Sequence, residues 1–211
     1  MQLRQCSNIK LMGAILVKHR VNTIKDLVNT PPKYGIEVDI REKNGSLICC
    51  HDPFQNGELF KDFITHFEHK FLIANIKEEG IEKKVINLLH DCKISNYFLL
   101  DVSFPFLYKL SNERTSKIAL RVSDLETLNL RTLKILGIEW IWLDAFKKFP
   151  SGELEKIKSL SDAEQIKVCL VSPELHMNRS NLKSDKIRDQ IIAADYIYDA
   201  ICTKETDYWE K

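Results

Sequence analysis

The sequence predicts an α/β protein, a single (β/α)8 barrel domain over residues 1–211, and three observations predict it. Eight short apolar, β-rich runs recur at intervals of about 20 to 36 residues, the spacing expected when helices separate strands. The runs are nearly continuous in apolar residues, as parallel strands covered on both faces should be. Between most of them the apolar residues take up helical periodicity. Eight βα units fit the barrel at the short end of its size range, whereas a doubly wound sheet commonly uses about five or six strands.

In chain order the strand runs are GAILVKH, GIEVDIRE, FLIANIK, YFLLDVSF, KIALRVS, EWIWLDAF, IKVCLVSPE and DAICTK. The stretch Leu11 to Val17 is too short to span a bilayer, and Lys18, His19 and Arg20 follow it where a signal peptide needs small residues, so it reads as the first strand. After the second run, an Asn44-Gly45 turn leads into LICC, which predicts a hairpin extension returning His51 and Asp52 toward the barrel mouth. In GIEKKVINLLHDCK, Ile81, Val85, Leu88 and Leu89 share one helical face. SDLETLNLRTLKILG predicts a helix opening on a Ser or Asp cap and closing at Gly137; SGELEKIKSLSDAEQ and NLKSDKIRDQIIAAD repeat the theme. His66 and His69 predict a solvated helix face, and His90 a helix C-terminus, where the dipole favours it. FPFLYKL reads as core packing of a helix, with an apolar lip for a ligand as the alternative.

Lys and Arg number 31 against 30 Asp and Glu, a net charge of +1, so no overall field points to nucleic acid or an anionic membrane. Charge chemistry must therefore be local. The six cysteines form no CxxC pair and most sit in apolar runs, which predicts reduced, buried thiols in a cytoplasmic setting rather than disulfides or a zinc site.

Barrel active sites lie at the C-terminal ends of the strands, and the polar residues falling there carry the functional reading. Glu37 and Asp39 stand two apart in GIEVDIRE, so on a strand both point to one face. Two carboxylates a few ångströms apart repel by about 1 to 4 kcal/mol, a cost that a divalent cation reverses. Hard oxygen ligands at an open mouth suit Mg²⁺ or Ca²⁺ better than zinc; the other reading is an ion network in which Arg20, Lys77 or Arg41 neutralises the pair. His19 and His51 follow apolar runs toward the mouth, where two imidazoles can divide general base from general acid, or serve as hydrogen-bonded structural groups. Arg20 offers a fork matched to phosphate oxygens. Together these residues and Lys77 compose a kit for metal-assisted phosphoryl chemistry on a small-molecule diester.

The ordered set of HR after the first strand, GIEVDIRE as the second, HDP after a hairpin and IK ending the third resembles the glycerophosphodiester phosphodiesterase family. These are metal-dependent barrels related in fold to phosphatidylinositol-specific phospholipase C. The motif-bearing part runs from about Ile15 to Lys77, and the strand rhythm continues through DAICTKETD. The resemblance implies His19 and His51 as the acid/base pair, Arg20 and Lys77 as phosphate contacts, and Glu37 and Asp39 as metal ligands. Three departures matter. Val21 stands where the family has Gly, implying a differently shaped turn; Asn22 and Thr23 follow at once, leaving no room for the family's small insertion domain; and Asn75 replaces the third ligand, a Glu. An amide oxygen still ligates Mg²⁺ or Ca²⁺ but brings no charge, so affinity should fall. Of Asp101, Glu79 and Asp144, the last, at the end of WIWLD, is the favoured compensating ligand, with a helix or turn cap as its other reading; Glu174 is a rim ligand, an acceptor for a substrate hydroxyl, or simply the opening of a helix after Pro173.

Overall fold

The computed structural model describes residues 13–112, 117–164, 166–176 and 182–210; Cys6, Leu11, Met12, Gln165 and Asn181 of the segments above lie outside them. Strands and helices alternate as β1 (Ile15–Lys18), α1 (Ile24–Asn29), β2 (Gly35–Lys43), the hairpin strands β3 (Ser46–Cys49) and β4 (Glu58–Leu59), then α2 (Phe60–Thr65) and β5 (Leu72–Ile76). They continue as α3 (Glu82–Asp91), β6 (Tyr97–Leu100), α4 (Phe104–Ser111), β7 (Ala119–Val122), α5 (Leu130–Leu136), β8 (Trp140–Leu143) and α6 (Ser151–Glu164). The described chain ends with β9 (Lys167–Val171), a 3-10 turn (Pro173–Leu175), α7 (Leu182–Ala193), β10 (Ala200–Thr203) and α8 (Thr206–Trp209). Among the described residues no helix is long and apolar enough to cross a membrane.

The strands form one mixed sheet of ten, in which the eight long-range neighbours are parallel in the order β7-β8-β9-β10-β1-β2-β5-β6. β2 is the hub. One of its edges takes β5 from Ile36 to Ile40, and the other takes β1 at Gly35 and Ile36, then the antiparallel β3 from Ile40 to Lys43. Gly35 keeps that crossing close, since a Cβ there would stand 3.0 Å from both Phe71 and Val17 and press on them. The ladder does not run continuously from β6 to β7; a single bridge joins Leu99 to Ile118, where the Leu99 N–H donates to the Lys117 carbonyl at 2.9 Å.

Alternation along each strand sorts side chains between two cores. Ile36, Val38 and Ile40 of β2 face the helices, with Leu72, Ala74 and Ile76 of β5 beside them. The sheet curls around a second, inner cluster in which Phe98 of β6 packs on Trp140 of β8 at 4.9 Å and Phe71 on Trp140 at 5.1 Å. Glu37, Asp39 and Asn75 share the inner face with that cluster, nearer the strands' C-terminal ends, and all three are buried.

Several local expectations shift. α2 stops at Thr65 with His66 as its cap, so His69 leaves the helix and is buried, its Nε2 2.9 Å from the Thr30 carbonyl, rather than lying on a solvated helix face. α5 begins at Leu130, not at Ser123 or Asp124: Asn129 caps it by accepting from the Thr132 N–H, while the Ser123 hydroxyl holds the preceding loop through the Leu125 and Glu126 N–H groups. Cys49, Cys50, Cys169 and Cys202 are free and buried as expected, but Cys92 is exposed at the end of α3.

Candidate active site

Where β1 ends, Arg20 takes a left-handed conformation, φ 58°, that turns the chain sharply. Its backbone N–H donates to Glu37 Oε2 at 2.7 Å and the next, on Val21, donates to the Glu37 carbonyl at 2.8 Å. Positive φ falls on Arg20 rather than on Val21, so the valine is accommodated as a buried side chain. Asn22, directly after it, clamps Asp39 from both sides: its amide donates to Asp39 Oδ2 at 2.8 Å and its carbonyl accepts the Asp39 N–H at 2.9 Å. The short connection thus supplies one backbone N–H group and an amide to the carboxylate pair, and a second N–H to the Glu37 carbonyl.

The β2–β3 hairpin performs as predicted. The Cys50 N–H donates to the Asp39 carbonyl, and the Arg41 guanidinium donates to the carbonyls of His51 and Lys77, tying hairpin and β5 together at the rim. Arg41 is therefore a bracket and makes no contact with the acids among these bonds. His51 is held through Nδ1 by Asp52 at 2.8 Å, and its Nε2 meets the Arg20 guanidinium at 2.5 Å, which assigns the Nδ1–H tautomer with Nε2 as acceptor.

These groups line one cavity of about 170 Å³, together with Asn75, Lys77, Asp101, Arg121, Asp144 and His176. The Asn75 amide donates to Glu37 Oε1 at 2.8 Å. Around Asp39, Lys77 Nζ lies 3.4 Å from Oδ1 and Arg20 Nε 3.7 Å from Oδ2. Burial, then the charge of Asp39, push Glu37 up to about 7, against the opposing help of Asn75 and the Arg20 N–H. Burial, reinforced by the Arg20, Lys204 and Lys77 charges, brings His19 down to about 3, so its imidazole is neutral at physiological pH; its Nε2 lies 3.8 Å from Glu37.

Eight residues singled out from the sequence line this cavity, but they divide into two groups. Glu37, Asp39, Asn75, Lys77, His19, Arg20 and His51 interlock. Asp144 stands apart, accepting from Arg121 at 2.6 Å, from the Ala145 N–H at 2.8 Å, and facing His176 Nε2 at 2.8 Å. Glu174 is no ligand but a buried anchor: it accepts from Ser172, Thr203 and Arg188 and fixes the 3-10 turn that delivers Leu175 and His176 to the cavity wall. Asn22 and His176 were not found from the sequence. Asn22 had only its place after the motif, and His176 lies beyond Pro173 in a segment without periodicity.

Among the described residues no cluster of three or more His, Cys, Asp or Glu side chains has the geometry to hold a metal. The oxygens that suit one are Glu37, Asp39 and the amide Asn75. Asp39 and Asn75 face one another as register partners on β2 and β5, and the Oδ1 atom of each is buried and accepts no hydrogen bond from the described residues.

No protein-family model matches the chain, and no curated protein matches it in sequence. Solved structures do share its fold. A glycerophosphodiester phosphodiesterase from Agrobacterium tumefaciens superposes with a TM-score of 0.64 at 13% identity, over 94% of this chain and 100% of that one. A glycerophosphoryl diester phosphodiesterase from Parabacteroides distasonis does so with a TM-score of 0.64 at 11% identity, over 95% and 85% of the two chains.

Proposed function

We propose that this protein is a phosphoric diester hydrolase that cleaves a glycerophosphodiester or related sugar-phosphate diester, and that its curled sheet closes as the (β/α)8 barrel of such enzymes. One observation carries the reading: two histidines, Arg20, Lys77 and a buried carboxylate pair line a single cavity at the C-terminal ends of the strands. The fold shared with two enzymes so named supports it.

In this reading Arg20 and Lys77 bind the phosphoryl oxygens. Arg20 then leaves His51 Nε2, and that nitrogen takes up a proton from solvent. His19, kept neutral by burial, accepts the proton of the attacking oxygen, and His51, oriented by Asp52 through Nδ1, passes its Nε2 proton to the departing alcohol. Glu37, Asp39 and the Asn75 carbonyl fit a hard divalent cation, Mg²⁺ or Ca²⁺, through the Oδ1 atoms of Asp39, which faces Lys77 at 3.4 Å, and Asn75, neither of which accepts a hydrogen bond from the described residues. When bound, that cation would supply Lewis-acid stabilisation of the phosphoryl charge. Asp144, committed to Arg121 and His176, is not needed for the ligand set.

A second reading has a specific observation behind it. Asn75 donates to Glu37, while Lys77 and Arg20 already flank Asp39, so the acid pair is neutralised without a metal and the barrel could bind a phosphorylated ligand without turning it over. Phosphorus NMR with a panel of glycerophosphodiesters separates the two. Expected is conversion that needs Mg²⁺ or Ca²⁺, stops in EDTA and falls about 10²- to 10⁴-fold in His51→Ala. A cyclic product would identify a substrate hydroxyl as nucleophile. Absence of conversion with every diester and metal would favour the binding protein.

A further inference from the structure

Among the described residues, neighbouring parallel strands of this sheet are joined by ladders, except β6 and β7, which share the single Leu99–Ile118 bridge. Beyond that bridge, at the C-terminal ends, a second cavity of about 290 Å³ lies between the two strands and the start of α4. Asp101 and Arg121 line both this cavity and the candidate active site, so the two adjoin at that ion pair. The charges on that wall satisfy one another: Arg121 reaches Asp101 at 2.5 Å and Glu126 at 3.9 Å, and Asp101 also faces Lys77 at 3.3 Å. Asp101 adopts a left-handed conformation, φ 58°, which aspartate tolerates better than most residues and which ends β6 with the carboxylate set between Lys77 and Arg121.

Beside those paired charges, the cavity offers a ligand the apolar side chains Val102, Phe104, Leu107, Ala119 and Leu120. Phe104 is 62% exposed, so a group laid against it removes apolar area from water. We propose that this seam is a binding subsite for an apolar alkyl or aryl group on the substrate's alcohol, reached past Asp101 and Arg121 from the phosphate held at Lys77. The inference rests on the phosphodiesterase reading of the main cavity and adds to it the class of alcohol preferred.

Calorimetric titration with methyl phosphate and hexyl phosphate tests it without requiring turnover. The parent is expected to bind hexyl phosphate at least about tenfold tighter than methyl phosphate, about 1.4 kcal/mol. Val102→Trp, which fills the cavity from a loop, should abolish that gain while methyl phosphate still binds. Phe104→Ala alters only a largely exposed ring and should reduce the gain without a risk to folding. Equal affinities in the parent, or a gain that survives both variants, would overturn the subsite alone. Failure of methyl phosphate to bind at all would remove the phosphate site, and the subsite with it.

Discussion

Burial moves Glu37 and His19 in opposite directions, and the consequence is a stability profile that single substitutions should unmask. Glu37 is raised to about 7 from 4.5, so its contribution is fully present below pH 4.5 and is lost as pH rises through 7. His19 is lowered to about 3 from 6.5, so its contribution is present above pH 6.5 and is lost as pH falls toward 3. Between about pH 4.5 and 6.5 the two slopes oppose each other in the metal-free protein. Urea unfolding in EDTA should therefore show stability falling with pH in His19→Asn and rising with pH in Glu37→Gln, each by up to about 1.4 kcal/mol per unit. The same sign in both variants would contradict the assignment. Asn75→Glu restores a third carboxylate beside this pair. It should destabilise the metal-free protein by about 1 to 4 kcal/mol and make the Mg²⁺-induced rise in melting temperature larger than in the parent; an unchanged metal response would remove Asn75 from the ligand set. At this scale the two-residue period of GIEVDIRE was enough to place Glu37 and Asp39 on one face. The partners of Asp144 were not legible, because Arg121 sits on β7 and His176 follows the 3-10 turn after β9, and no local pattern records which strand ends meet.

The element that brings His51 to the site is the hairpin of β3 and β4, and its weak point is Gly57. A Cβ at that position would stand 2.2 Å from the Cys49 carbonyl oxygen and 3.2 Å from Cys50 Cβ, so the backbone of the hairpin must move to admit one. Gly57→Ala is expected to cost about 1 to 3 kcal/mol by denaturant unfolding and to disturb the His51 ring resonances in a histidine-selective spectrum, while His69, buried behind α2, keeps its own. Unperturbed His51 resonances with a lowered stability would detach the hairpin's geometry from the site. The first hairpin strand was readable because Asn44-Gly45 is a strong turn signal; β4, two residues long, carries no pattern a sequence can show. Helix starts were read less well. Ser123 looks like a cap in sequence, yet the loop captures its hydroxyl and the helix waits for Asn129, since a cap is decided by which N–H groups arrive beside it.

For the molecule as a whole, the rhythm of eight apolar runs predicted the parallel order, but closure depends on tilt and register summed over every strand, which no single run contains. The seam shows where that sum falls short of a continuous ladder. β10 is bonded on both edges, to β1 and β9, whereas among the described residues β6 meets the chain before β7 through the single Leu99–Ile118 bridge. Opening there breaks a single bridge and leaves the inner cluster of Phe71, Phe98 and Trp140 largely in place, while opening at β10 breaks two ladders at once. Opening free energies in a native sheet follow such differences. Residue-resolved hydrogen exchange should show the Leu99 amide exchanging through a local opening of low urea dependence, and the β10 amides of Ile201 and Cys202 exchanging only with global unfolding. Equal protection would mean that the sheet is held as tightly at β6–β7 as elsewhere, and a cavity between those strands would then be rigid rather than able to part around a ligand.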